Sequence, residues 1–126
     1  MIAVCVDPEK VAQVWPHTKH LIKAAVDTGF SNFDDIERNV LSGQSLLWLA
    51  WDGELWGAAV TGLTSDACEI IAAGGKNVRR WLHLIAKLED YARAEGKRRV
   101  LIIGRRGWER LLPDYKQTSV VLERAL

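Results

Sequence analysis

The sequence predicts an α/β (α+β) domain in which one central, mixed and mostly antiparallel sheet is flanked by helices. Three observations predict it. Two apolar runs, "SLLWLAW" and "LWGAAVTGLT", flank Asp52-Gly53-Glu54, a favoured tight turn, and read as an antiparallel hairpin. A helical stripe then runs from Val78 to Ala92 and ends at Gly96. The short apolar run "RRVLIIG" follows that helix, so the chain returns to the sheet as a strand buried on both faces.

Each element can be justified in order. "MIAVCV" reads as a short buried strand. Asp7-Pro8-Glu9 reads as a helix start, with a capping Asp, Pro at the first helical position and an acid in the first turn. Val11, Val14, Trp15, Thr18, Leu21, Ile22 and Ala25 share one helical face. Pro16 interrupts that face, which predicts a kink or two abutting helices, and Gly29 marks the end. "SNFDDIERNVLSG" is a second helix, with Ser31 and Asp34 as a capping box, Phe33, Ile36 and Val40 as its apolar face and Gly43 as its stop. After the hairpin, "ACEIIAA" is a strand reached through a turn at Ser65-Asp66. The long helix carries Val78, Leu82, Ile85, Leu88 and Ala92, widened by Trp81, Leu84 and Tyr91. "GWERLL" is a short helix stopped by Pro113, and "QTSVVLERAL" is a closing strand.

The 126 residues suit one domain, 1–126, with its own core, and no linker, repeat or low-complexity tract divides it. Apolar residues make up 48% and charged residues 26%, the balance of a globular protein. No apolar stretch is long enough to span a membrane, and the N-terminus lacks a signal pattern, so the expected compartment is the cytoplasm with no membrane partner. Cys5 and Cys68 lie inside apolar runs and are expected to be small buried hydrophobes. With them, His17, His20 and His83 supply no metal-ligand spacing, so no metal is expected. The six tryptophans are mostly core, with Trp48 and Trp51 on opposite faces of one strand.

The net charge of +1 is unevenly spread. Residues 1–75 carry −6, while residues 76–110 carry +7. The basic part begins at "GGKNVRR", where a strand ends in Gly74-Gly75 and a helix starts. That setting suits a phosphate-bearing ligand, because free N–H groups at a helix start attract anions and glycines let the backbone come close. It equally suits a tight turn with a solvated basic surface.

The order of elements resembles the GNAT N-acetyltransferase superfamily over nearly the whole chain. "LLWLAWDGELWGAAV" resembles that family's hairpin, "LEDYARAEGKRRVLII" its long helix running into the fifth strand, and "GWERLLPDYKQTSVVLERAL" its closing unit. The chain is also similar to short GNAT-like proteins of phages and prophages. The resemblance implies acetyl-CoA as co-substrate, transfer to a small-molecule or protein amine, and a pyrophosphate held at the start of the long helix. It assigns cofactor contacts to Ala72, Ala73, Gly74, Gly75, Lys76, Arg79 and Arg80, with Arg105 or Arg106 reaching a nucleotide phosphate. The family's loop runs Gln or Arg, two residues, Gly, one residue, Gly or Ala. Here the loop is degenerate: Lys76 takes the first position, while Arg79 and Trp81 stand where small residues belong. The family's general-acid Tyr maps to Arg110, an electrostatic partner for a thiolate, and Tyr115 falls at the aromatic of the closing unit. Glu69 is the first candidate for general base and Asp66 the second. An amine acyltransferase, a GNAT-fold binding or phage accessory protein without catalysis, and, disfavoured, a nucleic-acid module using the basic cluster all remain open. The Trp-rich hairpin and the closing strand offer surfaces for a homodimer.

Overall fold

The computed structural model describes residues 1–26, 31–104, 107–120 and 122–126. Five strands form one sheet in chain order, β1 (Ile2–Cys5), β2 (Leu46–Trp51), β3 (Leu55–Leu63), β4 (Ala67–Gly75) and β5 (Arg99–Ile102). Neighbours are antiparallel except β4 and β5, which are parallel. A parallel pair needs a crossover, and the residues between these two strands supply it as α3 (Val78–Trp81), a 3-10 turn (Leu82–Leu84) and α4 (Ile85–Ala94). The long helix expected from Val78 is therefore one helical run with a tighter turn inside it. Gly96, at φ 72°, stops it as expected.

Two helices cover the opposite face. In α1 (Val11–Val26) the residues Val11, Trp15, Thr18, Ile22 and Val26 are buried, close to the predicted stripe. Asp7 caps the preceding 3-10 turn through the Glu9 N–H at 3.0 Å. Of the two outcomes expected at Pro16, abutting helices do not occur: α1 is a single helix through it. Pro16 and the residue whose carbonyl it leaves without a helical donor, Ala12, are both exposed. Water can serve that carbonyl while five buried side chains hold the helix down. The end predicted at Gly29 lies outside the described residues.

In α2 (Phe33–Ser42) the cap is Asn32 rather than Ser31. Its side-chain oxygen accepts from the N–H groups of Asp34 and Asp35 at 2.8 and 3.2 Å. Gly43 ends the helix in the left-handed region at φ 83°. The Trp15 indole donates to Glu37 Oε2 at 2.7 Å and stacks on Phe33, which locks α1 to α2.

The two faces have separate cores. Ile22, Val40, Leu47 and Val60 lie between the sheet and α1/α2, while Ala59, Ile70, Ile85 and Leu88 lie between the sheet and α4. Trp48 and Trp51 differ as expected, since Trp48 meets Tyr91 edge-on while Trp51 is exposed.

Three further expectations are corrected. β1 is an edge strand with Ile2 and Cys5 exposed, because only β2 lies beside it. Cys68, by contrast, is fully buried, and its burial and the neighbouring Glu69 charge push its thiol pKa up. β5 is only half-buried along Val100–Ile102, since no further strand flanks it among the described residues. After α5 (Trp108–Leu111) and Pro113, the described part of "QTSVVLERAL" forms no strand. Val120, Leu122 and Leu126 are exposed, with no layer opposite to bury them, and a strand without a covered face gains little from pairing. Among the described residues, no helix is long and apolar enough to cross a membrane.

Candidate functional site

β4 pairs with β5 only from Ala67 to Ile70, with Ile103 N–H added to the Ile70 carbonyl at 3.0 Å. Beyond Ile70 the two strands part, and β4 continues to Gly75 against β3 alone. The parting begins at a bulge. Ile70 faces Thr61 and Ala72 faces Val60, so Ile71 is the extra residue. The bulge reverses which edge of the strand each peptide addresses. Lys76 N–H bonds the Trp56 carbonyl at 3.0 Å, so antiparallel alternation turns the polar groups of Ala72 and Gly74 toward β3. Those of Ala73 and Gly75 then face the side that β5 has left.

A cleft of about 360 Å³ occupies that gap. Its walls are the free half of β4, Leu21 and Ala25 of α1, Val78 and Trp81 of α3, Ile103-Gly104 beyond β5, and Trp108 and Leu111 of α5. Among the described residues, none that lines it carries a titratable side chain. The polarity of the cleft comes mainly from backbone, and its size is that of small-molecule sites.

Of the predicted site residues, Ala72, Ala73, Gly74 and Gly75 line the cleft. Both glycines belong to β4 rather than to a turn after it. Their missing side chains make room for protein. A Cβ at Gly75 would stand 2.2 Å from the Trp56 carbonyl oxygen, and one at Gly74 would stand 2.7 Å from that of Leu21. The glycines thus let β4 press against β3 on one side and α1 on the other.

The basic cluster divides. Lys76 pairs with Glu54 and lies over the Trp56 ring at 4.8 Å. The Arg80 guanidinium lies over the same ring at 4.0 Å and reaches Asp52 at 3.5 Å. Trp56 in turn donates its indole N–H to Asp52 at 2.7 Å. Both cations therefore tie the β4–α3 turn to the tip of the β2–β3 hairpin. Arg79 is exposed and forms no ion pair among the described residues. Arg105 and Arg106 lie outside the described residues.

Trp81 is not a bulky intruder at the mouth of the loop. It is only 4% exposed, and its indole fills the hollow left by Gly57, where a Cβ would come within 2.8 Å of Cε2. Its ring N–H donates to the Lys76 carbonyl at 3.0 Å.

Glu69 and Arg110 do not line the cleft. Glu69 sits on β4 between Gly62 and Leu101, and Arg110 is exposed on α5. Asp66 is held by Arg99 at 2.9 Å. Tyr115 packs beside α4 and donates its hydroxyl to Glu89 at 2.7 Å. Burial first, and then that bond, raise its pKa well above the ordinary tyrosine value. It is an anchor of the closing segment. The sequence reading did not include the far wall, Ile103, Gly104 and Leu111. Trp108 fits closely on Gly104, where a Cβ would stand 3.2 Å from the indole, and its one sequence signal is an aromatic set just after the run "GRRG".

No protein-family model and no curated protein sequence matches the chain. Solved structures do. A probable acetyltransferase is 14% identical with a TM-score of 0.68, covering 100% of this chain and 97% of its own. A predicted acetyltransferase with acetyl-CoA from Clostridium acetobutylicum is 9% identical with a TM-score of 0.66, covering 98% and 94%. An aminoglycoside acetyltransferase from an uncultured soil metagenomic sample, in complex with sisomicin, is 10% identical with a TM-score of 0.69, covering 98% and 95%. The chain has the fold of these GNAT-type acetyltransferases over its whole length.

Proposed function

We propose that the protein is an acyl-CoA-dependent N-acyltransferase that takes acetyl-CoA as co-substrate and moves the acyl group directly to an amine of a small molecule or protein. The observation that carries this reading is the parting of β4 from β5, which leaves the polar backbone groups of Ala73 and Gly75 facing a cleft with apolar walls. A pantetheine arm is a thin chain of amides and methylenes. It can pair with such an edge as a strand would, and its methylenes suit Leu21, Ile103 and Leu111. The structural neighbours support the donor and the acceptor class: one holds acetyl-CoA, and an aminoglycoside acetyltransferase holds sisomicin.

In the reaction the amine nitrogen attacks the thioester carbonyl carbon, the C–S bond breaks, and the amine proton passes to a base. The Ala73 N–H is the donor proposed to polarise that carbonyl. Holding both reactants in one cleft supplies much of the acceleration without a side-chain acid. Glu69, acting through water, is the candidate base, and Arg110 the candidate electrostatic partner of the leaving sulfur. The β4–α3 turn, with Arg79 beside it, is the proposed seat of the pyrophosphate.

Calorimetric titration with acetyl-CoA and with desulfo-CoA tests the proposal. Saturable binding of both is expected, and no binding at millimolar ligand overturns it. One observation favours a second reading, a GNAT-fold protein that binds CoA without turnover: among the described residues, the cleft lining has no titratable side chain. Free-thiol release from acetyl-CoA with a panel of amines separates the two.

A further inference from the structure

We infer that Trp81 is a positioning residue for the phosphate groups of the acyl donor, acting through the direction of one peptide bond; the inference rests on the acyl-CoA reading above. The Trp81 indole is wedged under β3 at Gly57 and cannot swing out without opening that contact. From there its ring N–H holds the Lys76 carbonyl at 3.0 Å. The Lys76–Asn77 peptide is trans, as are all the described peptide bonds. In a trans peptide the C=O and the following N–H point in opposite directions. Fixing the Lys76 carbonyl toward the buried indole therefore fixes the Asn77 N–H away from it, on the exposed side of the turn.

The units on either side are pinned as well. Lys76 N–H is held by the Trp56 carbonyl at 3.0 Å, and the Asn77 carbonyl accepts from Arg80 N–H at 2.8 Å. The second bond directs the Val78 N–H outward by the same rule. Asn77, at φ 50°, is the one non-glycine with positive φ among the described residues, which is the kink that brings the successive N–H groups round. In this turn the Lys76 and Asn77 carbonyls face inward with donors of their own, and the Asn77 and Val78 N–H groups face outward.

Without the indole N–H, the Lys76–Asn77 peptide can rotate and present a carbonyl oxygen where a donor stood. That oxygen would repel a phosphate. A bulky residue at position 81 thereby does by a hydrogen bond what small residues do by close approach. Trp56 reinforces the arrangement from outside, since Lys76 and Arg80 both lie on its ring.

The test compares coenzyme A with pantetheine, which lacks every phosphate, by calorimetry and NMR titration on wild type and Trp81→Phe. Phenylalanine keeps the packed ring and loses only the donor. The expected result is a rise in the Kd for coenzyme A on the order of fivefold to tenfold, the worth of about one hydrogen bond, with a clearly smaller change for pantetheine, which meets Trp81 only as apolar cleft wall. Equal coenzyme A affinity in the two proteins overturns the inference, and so does an equal loss for both ligands, which a merely structural role would give. Gly57→Ala, whose methyl displaces the indole but keeps its N–H, is expected to repeat the pattern and serves if Trp81→Phe does not fold. Wild type that binds no coenzyme A overturns the acyl-CoA reading itself.

Discussion

The two halves of β4 belong to one strand and meet opposite surroundings. From Ala67 to Ile70 the strand has a neighbour on each side, and Ala67, Cys68 and Ile70 are fully buried. From Ile71 to Gly75 it has one neighbour, exposure rises toward Gly75, and the free edge looks into the cleft. The change needs one inserted residue, at Ile71. A bulge re-aims the peptide groups, β5 ends, and a strand inside the sheet becomes the wall of a cleft. Composition marks the open half only by its two glycines; partners separate the rest.

Breaking the closed half is expected to have the largest effect. Ile70 is fully buried between β4 and α4, so Ile70→Ala is expected to cost about 2–5 kcal/mol in urea denaturation. At temperatures where the variant stays folded, its affinity for coenzyme A should match wild type. A stability loss under 1 kcal/mol would mean that the closed half is not the rigid part. Gly75→Ala strikes the open half from behind, since its methyl has no room against Trp56 and Gly57. Overpacking of that kind costs about 1–3 kcal/mol. This variant should weaken ligand binding too, because the Gly75 peptide faces the cleft. A loss of stability without a loss of affinity would detach Gly75 from the site.

These contrasts also mark what the sequence could tell. The order of elements, the Asp52-Gly53 turn, the Asp7 cap, and the stops at Gly43 and Gly96 were legible because each rests on residues within a few positions of one another. So was the setting of the site, a strand end followed by a basic helix start. The roles of Gly74, Gly75 and Trp81 were not legible. Gly74 is small because of Leu21 and Ala25 of α1, Gly75 because of Trp56 and Gly57 of β3, and Trp81 is large because Gly57 leaves a hollow, so all three depend on partners in other elements. The basic run "KNVRR" suited a phosphate cluster and a solvated basic turn alike, and the local pattern does not show that Lys76 and Arg80 are held by Glu54, Asp52 and the Trp56 ring. The closing strand failed for the same reason: "TSVVL" has the composition of a strand, but pairing depends on a covered face, which no local pattern records.

A smaller effect is expected where the closing segment meets α4. Tyr115 has its pKa raised by burial and by Glu89, so the folded state keeps its proton longer than the unfolded chain. Its contribution is fully present below the ordinary tyrosine range and is lost as pH rises above it, since only the unfolded state then ionises. Stability should therefore fall from about pH 10 upward. Tyr115→Phe should flatten part of that slope; Tyr91, also raised by burial, retains the rest. Denaturation midpoints across that range measure it. An unchanged slope in Tyr115→Phe would show that the Glu89 contact is not made in solution.

The smallest effects are expected from the ion pairs at the two ends of β4, and they sharpen the comparison. Asp66–Arg99 flanks the closed end at 2.9 Å, and Glu54–Lys76 flanks the open end; all four side chains are largely solvated. Double-mutant cycles with alanine should give about 0.2–1 kcal/mol for each pair, with salt weakening both. The loss of stability on Lys76→Ala alone should respond less to salt than that on Arg99→Ala, because Lys76 also lies on the Trp56 ring, a contact with an apolar face that salt screens less than a solvated carboxylate. Equal salt dependence would mean that the ring adds nothing. A steeper dependence at the closed end would show that the hairpin, rather than charge alone, holds the turn in place.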